Sequence, residues 1–219
     1  MKFITYLEAN KKLLFYATLI SLLIIFILLS VFVTFISPEY LDLHISREIQ
    51  ENQTENLNTL MIGISWLGRT PVSIAMVALT ALVLVLLKYK NEALLILSTL
   101  LSGIVGLILK ILINRPRPSQ DLVVLLEKTQ YQSFPSGHVL FYTVFFGALI
   151  LIFLHMKKIK YSLRILLITA CLVMIFLGAF SRIYLGAHWF TDVLGGFIVG
   201  VICLFAMGSV YVKNMKPTS

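Results

Sequence analysis

LLFYATLISLLIIFILLSVFVTFI, residues 13–36, is a run of twenty-four residues without one charge. A helix rises about 1.5 Å per residue, and a hydrocarbon core about 30 Å thick needs roughly 20 apolar residues to cross it. The run is long enough to cross. It is too long for a signal-peptide core and has no small-residue cleavage site before Pro38, so it reads as a membrane helix. It is no barrel strand either, because barrel strands alternate polar and apolar residues over about 10 positions.

The same pattern returns at 71–87, 93–113, 136–155, 163–184 and 192–212. Pro71 suits a first helical turn, where its missing N–H costs nothing, and Pro116 and Pro118 end the third run. Six spans put both termini on one side. The composition agrees: 59% of the 219 residues are hydrophobic and 13% charged, against about 45–50% and about 25% in soluble domains. Mean hydropathy is +0.95. These values exclude a soluble globular protein, a disordered chain and a disulfide scaffold. The expected fold is all-α: a polytopic membrane protein of six transmembrane helices, one membrane-embedded domain over 1–219, with its active site at one membrane face. Cys171 and Cys203 fall inside apolar runs and read as small buried hydrophobes. The net charge is +8, but no basic run is interleaved with aromatics, so nucleic acid is not an expected partner. The bilayer is the expected surrounding, and no obligatory protein partner is evident.

The connections differ in character. Residues 88–92 and 156–162 are short and basic, whereas 37–70 and 114–135 are long and hold most of the acidic residues. In 37–70, Leu41, Ile45, Ile49, Leu57, Leu60, Met61 and Ile64 recur at partly helical spacing. That spacing predicts an amphipathic helix lying on the interface, with a ligand-binding lid as the alternative. Gly195, Gly196 and Gly200 give the last span a small-residue face for close packing.

Charges inside or beside membrane helices are costly and mark function. Lys110 follows sixteen uncharged residues, 94–109, and is followed by Arg115 and Arg117 between prolines. A snorkelling lysine would account for Lys110 alone. Three cations in eight residues, with no acidic residue beside them in sequence, point to an anion site. Arg115 is expected either to assist a second phosphate or to face headgroups. Pro135-Ser136-Gly137-His138 opens the fourth span. Ser136 is a candidate N-cap, Gly137 lets a ligand approach the backbone, and the open N–H groups of a helix start suit phosphate. Ser181-Arg182 and His188…Asp192 form the third cluster. If helical, His188 and Asp192 share a face, and the carboxylate would orient the imidazole. The alternative is an interfacial salt bridge between Arg182 and Asp192. All three clusters map to one side of the membrane, where cations, a helix start and two histidines make a phosphoryl-transfer site. His44 and His155 lack such neighbours and read as incidental.

These segments resemble the three signature motifs of the type 2 phosphatidic acid phosphatase superfamily: K-x6-RP as Lys110…Arg117-Pro118, PSGH as 135–138, and SR-x5-H-x3-D as Ser181-Arg182…His188…Asp192. Every motif position and spacing matches, from the second span onward. The layout is similar to the integral-membrane branch of phosphatidylglycerophosphatase B-like and undecaprenyl-diphosphate phosphatase-like enzymes. The resemblance implies that His188 attacks phosphorus to form a phosphohistidine and that Asp192 orients it. It implies that His138 protonates the leaving oxygen and then activates water. Lys110, Arg117, Ser136, Gly137 and Arg182 would hold the phosphate. The implied substrate is a membrane lipid phosphate such as phosphatidic acid, phosphatidylglycerophosphate or undecaprenyl diphosphate. No metal or other cofactor is expected, since the cations occupy a metal's electrostatic role. A phosphotransferase using the same chemistry and, more remotely, a transporter are the alternatives.

Eleven of the eighteen basic residues fall at the termini and in the two short loops, beside two acidic ones. The positive-inside rule therefore predicts cytoplasmic termini and an extracytoplasmic site, in a plasma membrane of bacterial type.

Overall fold

The computed structural model describes residues 10–36, 38–127, 129, 131–156 and 158–214. Readings that touch other positions, among them Lys2, Glu8, Lys157 and Lys216 of the charge count, lie outside the described residues.

Helix α1 (Lys11–Val31) continues as a π-helical turn, Phe32–Ile36. Helices α2 (Glu39–Gln50) and α3 (Glu55–Leu67) follow, then α4 (Thr70–Leu86). Helices α5 (Lys90–Ser98) and α6 (Leu101–Ile113) form one 24-residue span, Lys90–Ile113. The rest are α7 (Gly137–His155), α8 (Tyr161–Tyr184) and α9 (Phe190–Asn214). Among the described residues five helices are long and apolar enough to cross a membrane, and α3 with α4 makes a sixth span bent by 62°. Helix α4 alone, 17 residues, reaches about 26 Å and falls short of a full core. Five of the six spans read from sequence lie within a few residues of those observed, whereas the second, read as 71–87, matches α4 alone and not the bent span that begins at Glu55.

The loop 37–70 departs from expectation. It holds two helices joined by a turn, not one helix on the interface. Helix α3 sends Met61, Ile64 and Ser65 into the bundle, and α2 buries the polar Asp42 and Ser46. Thr54 caps α3 by accepting from the Leu57 N–H at 3.3 Å.

Helix α7 is the central element: 56% of its spanning window is buried, against 11% for α1 and α8. Its Tyr142 ring is enclosed, and the hydroxyl donates to the Ile64 carbonyl. The apolar side chains that remain exposed on α1, α4 and α8 face outward, as a bilayer solvent requires. Cys171 and Cys203 are buried and unpaired with each other.

Candidate active site

Helix α6 ends at Asn114, whose left-handed backbone (φ 48°) turns the chain sharply. That turn sends Arg115 and Arg117 back across the ends of α7 and α9. Lys110, one turn earlier, donates to the Gln132 carbonyl at 2.6 Å and the Ser133 carbonyl at 3.3 Å. Its stem passes over Gly137. Arg117 donates to the Tyr131 carbonyl at 2.8 Å and the Ala187 carbonyl at 2.6 Å, and its Nη1 stands 3.1 Å from His188 Nε2. A cavity of ≈ 370 Å³ opens beside it, lined by Asn114, Arg115, Pro116, Arg117, Tyr131 and Gln132.

The segment leading into α7 is pinned from several sides. The Ser133 N–H donates to the Arg115 carbonyl at 2.9 Å, and the Ser136 N–H to the Asp192 carbonyl at 3.0 Å. Phe134 is fully buried and stacks on Phe26 with ring centroids 5.8 Å apart. Ser136 takes the N-cap position, yet its hydroxyl makes no capping bond. The cap expected from the sequence is thus positional only, and Ser136 Oγ is buried without a hydrogen-bond partner.

Helix α8 ends in a turn in which the Ala187 and His188 N–H groups donate to the Arg182 carbonyl at 3.0 and 3.1 Å. Gly186 sits in that turn at φ +68°, with the Val124 carbonyl where a Cβ would point, so only glycine fits there. His188 precedes α9 and Asp192 lies in its first turn, so the pair is not on one helical face as expected. They meet all the same: His188 Nδ1 is 3.4 Å from Asp192 Oδ2. That is close enough for the charge to act but outside hydrogen-bond geometry, and Nδ1 has no hydrogen-bond partner. Asp192 Oδ2 accepts instead from the Ser133 hydroxyl and, at 2.9 Å, from the Trp189 N–H.

Arg115, expected either to assist a second phosphate or to face headgroups, is bonded to two carboxylates instead. It is buried, donating to Asp192 Oδ1 at 2.6 Å and to Asp42 Oδ2 at 2.7 Å. Asp42 also accepts from the Thr191 N–H at 2.9 Å and from its hydroxyl at 2.8 Å. The salt bridge considered between Arg182 and Asp192 is not formed. Arg182 pairs with Glu127 at 2.8 Å and donates to the Ser65 hydroxyl. Its Nε and Nη2 are buried without partners, as is His138 Nε2. The sequence reading missed Asp42, Ser65, Arg69, Glu127 and Ser133. The available signals were an acidic residue, Asp42, among the apolar positions of 37–70 and a glutamate, Glu127, in the loop before PSGH.

Five basic side chains (Arg69, Lys110, Arg115, Arg117, Arg182) stand among three acidic ones (Asp42, Glu127, Asp192), a formal surplus of two positive charges. Burial, then the charges of Arg117, Arg182 and Lys110, hold the His188 imidazole well below the ordinary histidine range, so it is neutral at physiological pH. Burial and Arg182 bring Arg117 down to about 10, still protonated near neutrality. Burial would push the Glu127 carboxyl up, but Arg182, the Ser65 hydroxyl and Arg69 outweigh it and hold it below its usual range. Among the described residues no three of His, Cys, Asp or Glu are grouped to hold a metal ion. His44 stacks on Tyr40, and His155 lies at the far end of α7, away from these groups.

The chain is similar to known membrane phosphatases along most of its length. It is 30% identical over 203 residues to an undecaprenyl-diphosphatase of Sulfolobus acidocaldarius, covering 90% of this chain and 91% of that one. It is 28% identical over 190 residues to phosphatidylglycerophosphatase B of Bacillus subtilis, covering 85% and 91%. The crystal structure of a transmembrane PAP2-type phosphatidylglycerolphosphate phosphatase from Bacillus subtilis superposes with a TM-score of 0.81 at 24% identity, over 92% of this chain and 98% of that one. Aquifex aeolicus LpxE superposes with a TM-score of 0.60 at 27% identity, over 79% and 95%. Residues 91–216, which carry all three motifs, match the family model of the PAP2 superfamily, and the chain belongs to that superfamily.

Proposed function

We propose that this lipid phosphatase removes the terminal phosphoryl group of a membrane lipid phosphate or diphosphate through a phosphohistidine on His188, the whole chain, 1–219, acting as one membrane-embedded domain. The observation that carries the reading is a set of buried polar atoms without partners: Ser136 Oγ, His138 Nε2, and Arg182 Nε and Nη2. Buried polar groups are nearly always paired, so these atoms suit an oxyanion-rich ligand. Neutral His188 has its Nε2 lone pair facing Arg117 Nη1, a donor, which leaves the proton on Nδ1 beside Asp192. Nε2 attacks phosphorus, and Asp192 balances the imidazolium that develops. His138 gives a proton to the leaving oxygen and takes one from the water that frees phosphate. Lys110, Arg117, Arg182, Ser136 and the Gly137 N–H hold the non-bridging oxygens. No metal enters these steps.

The names of the relatives support a phospholipid or prenyl-carrier substrate, phosphatidylglycerophosphate or undecaprenyl diphosphate; phosphatidic acid, with the same terminal phosphate on an apolar tail, belongs to the same panel. Charge supports the sidedness. Lys88, Lys90, Lys158, Lys160 and Arg164 lie at the helix ends opposite the three motifs, which favours cytoplasmic termini and a site serving the outer leaflet of the plasma membrane.

The test is phosphate release by the full chain in detergent from a panel of these lipids, with and without EDTA. Release that survives EDTA and is abolished in His188→Ala, with an acid-labile phosphoenzyme trapped in the parent, is expected. Near-parental turnover by His188→Ala would remove the nucleophile assignment.

A further inference from the structure

The Arg182 guanidinium is divided between two neighbourhoods. Its Nε and Nη2 carry no partner, while Nη1 meets Ser65 Oγ and Glu127 Oε2. Glu127 is itself held on both oxygens. Oε2 also accepts from the Ser65 hydroxyl at 2.6 Å, and Oε1 lies 3.5 Å from Arg69 Nη2. Two guanidinium groups and a hydroxyl around one carboxylate have the donor geometry of a phosphate site. The Arg182 side is enclosed at 1% exposure, and the Arg69 side is open at 48%. The neighbourhood also adjoins the proton donor: Gly68, next to Arg69, lies against the His138 ring.

We propose that Arg69, Ser65 and the Nη1 edge of Arg182 form a second anion subsite, occupied in this structure by the chain's own Glu127 carboxylate and taken over by the lipid-bound phosphate of a lipid diphosphate. The inference rests on the phosphohistidine reading above and adds the substrate class. The terminal phosphate takes the Nε and Nη2 edge of Arg182. The second phosphate, one bridging oxygen away on the side of His138, meets the Nη1 edge. A monophosphate fills the first position only and leaves Glu127 in place. In the reaction His188 Nε2 forms a bond to the terminal phosphorus, and the bond from that phosphorus to the bridging oxygen breaks. The electron pair and the His138 proton leave with the lipid monophosphate. Water then adds to the phosphohistidine, gives its proton to His138, and the electron pair of the P–N bond returns to Nε2. Arg69 and Arg182 Nη1 bind the charge that builds on the departing phosphate, a contribution made in the transition state. Glu127 competes with the second phosphate for the same donors.

The experiment compares a prenyl diphosphate and the monophosphate of the same prenyl alcohol, with the full chain in detergent. Arg69→Ala should lower the ratio of kcat/KM for diphosphate over monophosphate by about tenfold, the loss of one charged hydrogen bond. Glu127→Gln should raise that ratio and should strengthen inhibition by inorganic diphosphate relative to inorganic phosphate. That second comparison stands even where Arg69→Ala fails to fold. An unchanged ratio in a folded Arg69→Ala, or equal inhibition by the two anions in Glu127→Gln and the parent, would overturn the proposal. Full activity in His188→Ala would strike the underlying reading instead, whatever the ratio.

Discussion

The main-chain N–H of Ser136 donates to the carbonyl oxygen of Asp192 at 3.0 Å, so the start of α7 is tied directly to the first turn of α9. The PSGH segment and the histidine–aspartate segment are therefore joined main chain to main chain. Gly196, one turn further along α9, permits the approach, since a Cβ there would stand 2.6 Å from the Ser136 carbonyl oxygen. Backbone on one side cannot swing away as a flexible side chain can. Gly196→Ala should therefore lower stability by about 1–3 kcal/mol and displace Ser136 from its place at the start of α7. A lowered thermal midpoint in detergent together with reduced turnover is the expected pair of results. An unchanged midpoint would show that α7 and α9 part readily.

Arg115 sits between two buried carboxylates, and removing it leaves both uncompensated. Breaking such a pair typically costs about 3–5 kcal/mol, so Arg115→Ala should unfold readily in detergent. Arg115→Lys keeps a charge but cannot span Asp42 and Asp192 as a planar fork does. It should fold and lose turnover, because Asp192 Oδ1 then loses its guanidinium partner and the carboxylate is held beside His188 only through Oδ2. Equal turnover in Arg115→Lys and the parent would show that Asp192 needs no such hold.

The acid limb of kcat/KM reports the free enzyme's nucleophile. His188 must be neutral to attack, and its burial among cations lowers its pKa well below 6.5. The neutral form therefore survives as pH falls through the ordinary histidine range and is lost only beneath it. A pH–rate profile should keep its activity at pH 6.5 and fall further into acid. A midpoint at or above 6.5 would mean that His188 is less enclosed than its contacts indicate.

Arg182 meets Glu127 and Ser65 with one nitrogen and keeps two others unpartnered. A lysine can serve one of those directions and not both. Arg182→Lys should lose kcat by about 10- to 100-fold, the equivalent of one or two charged hydrogen bonds, with a smaller change in KM. A raised KM at unchanged kcat would mark Arg182 as a ground-state anchor.

The spans and the three motifs were legible in the sequence because each is local. Hydropathy declares a helix such as α7 within twenty residues, and Lys110 to Pro118 or His188 to Asp192 are fixed by short spacings. The groups that hold the motifs in place were not legible. Asp42 and Arg115 are separated by 73 residues, and Ser65 and Arg182 by 117. No periodicity records such pairings. Arg115 looked like a spare cation because its carboxylates arrive from α2 and α9. The helices of 37–70 were half legible: their apolar spacing was visible, but not that α2 buries its polar side against Thr191 and Arg115.

Phe26, Asp42, Ser65 and Arg69 all precede the matched segment 91–216, yet each touches a residue inside it. The motifs are thus not a portable cassette. Grafting 91–216 onto the front half of a distant relative would transfer every signature residue and strand Arg115, Phe134 and Arg182 without their counterparts. Chimaeras joined near residue 90 should work only between relatives whose two halves match as a set, so the front of the chain is as much a part of the inheritance as the motifs.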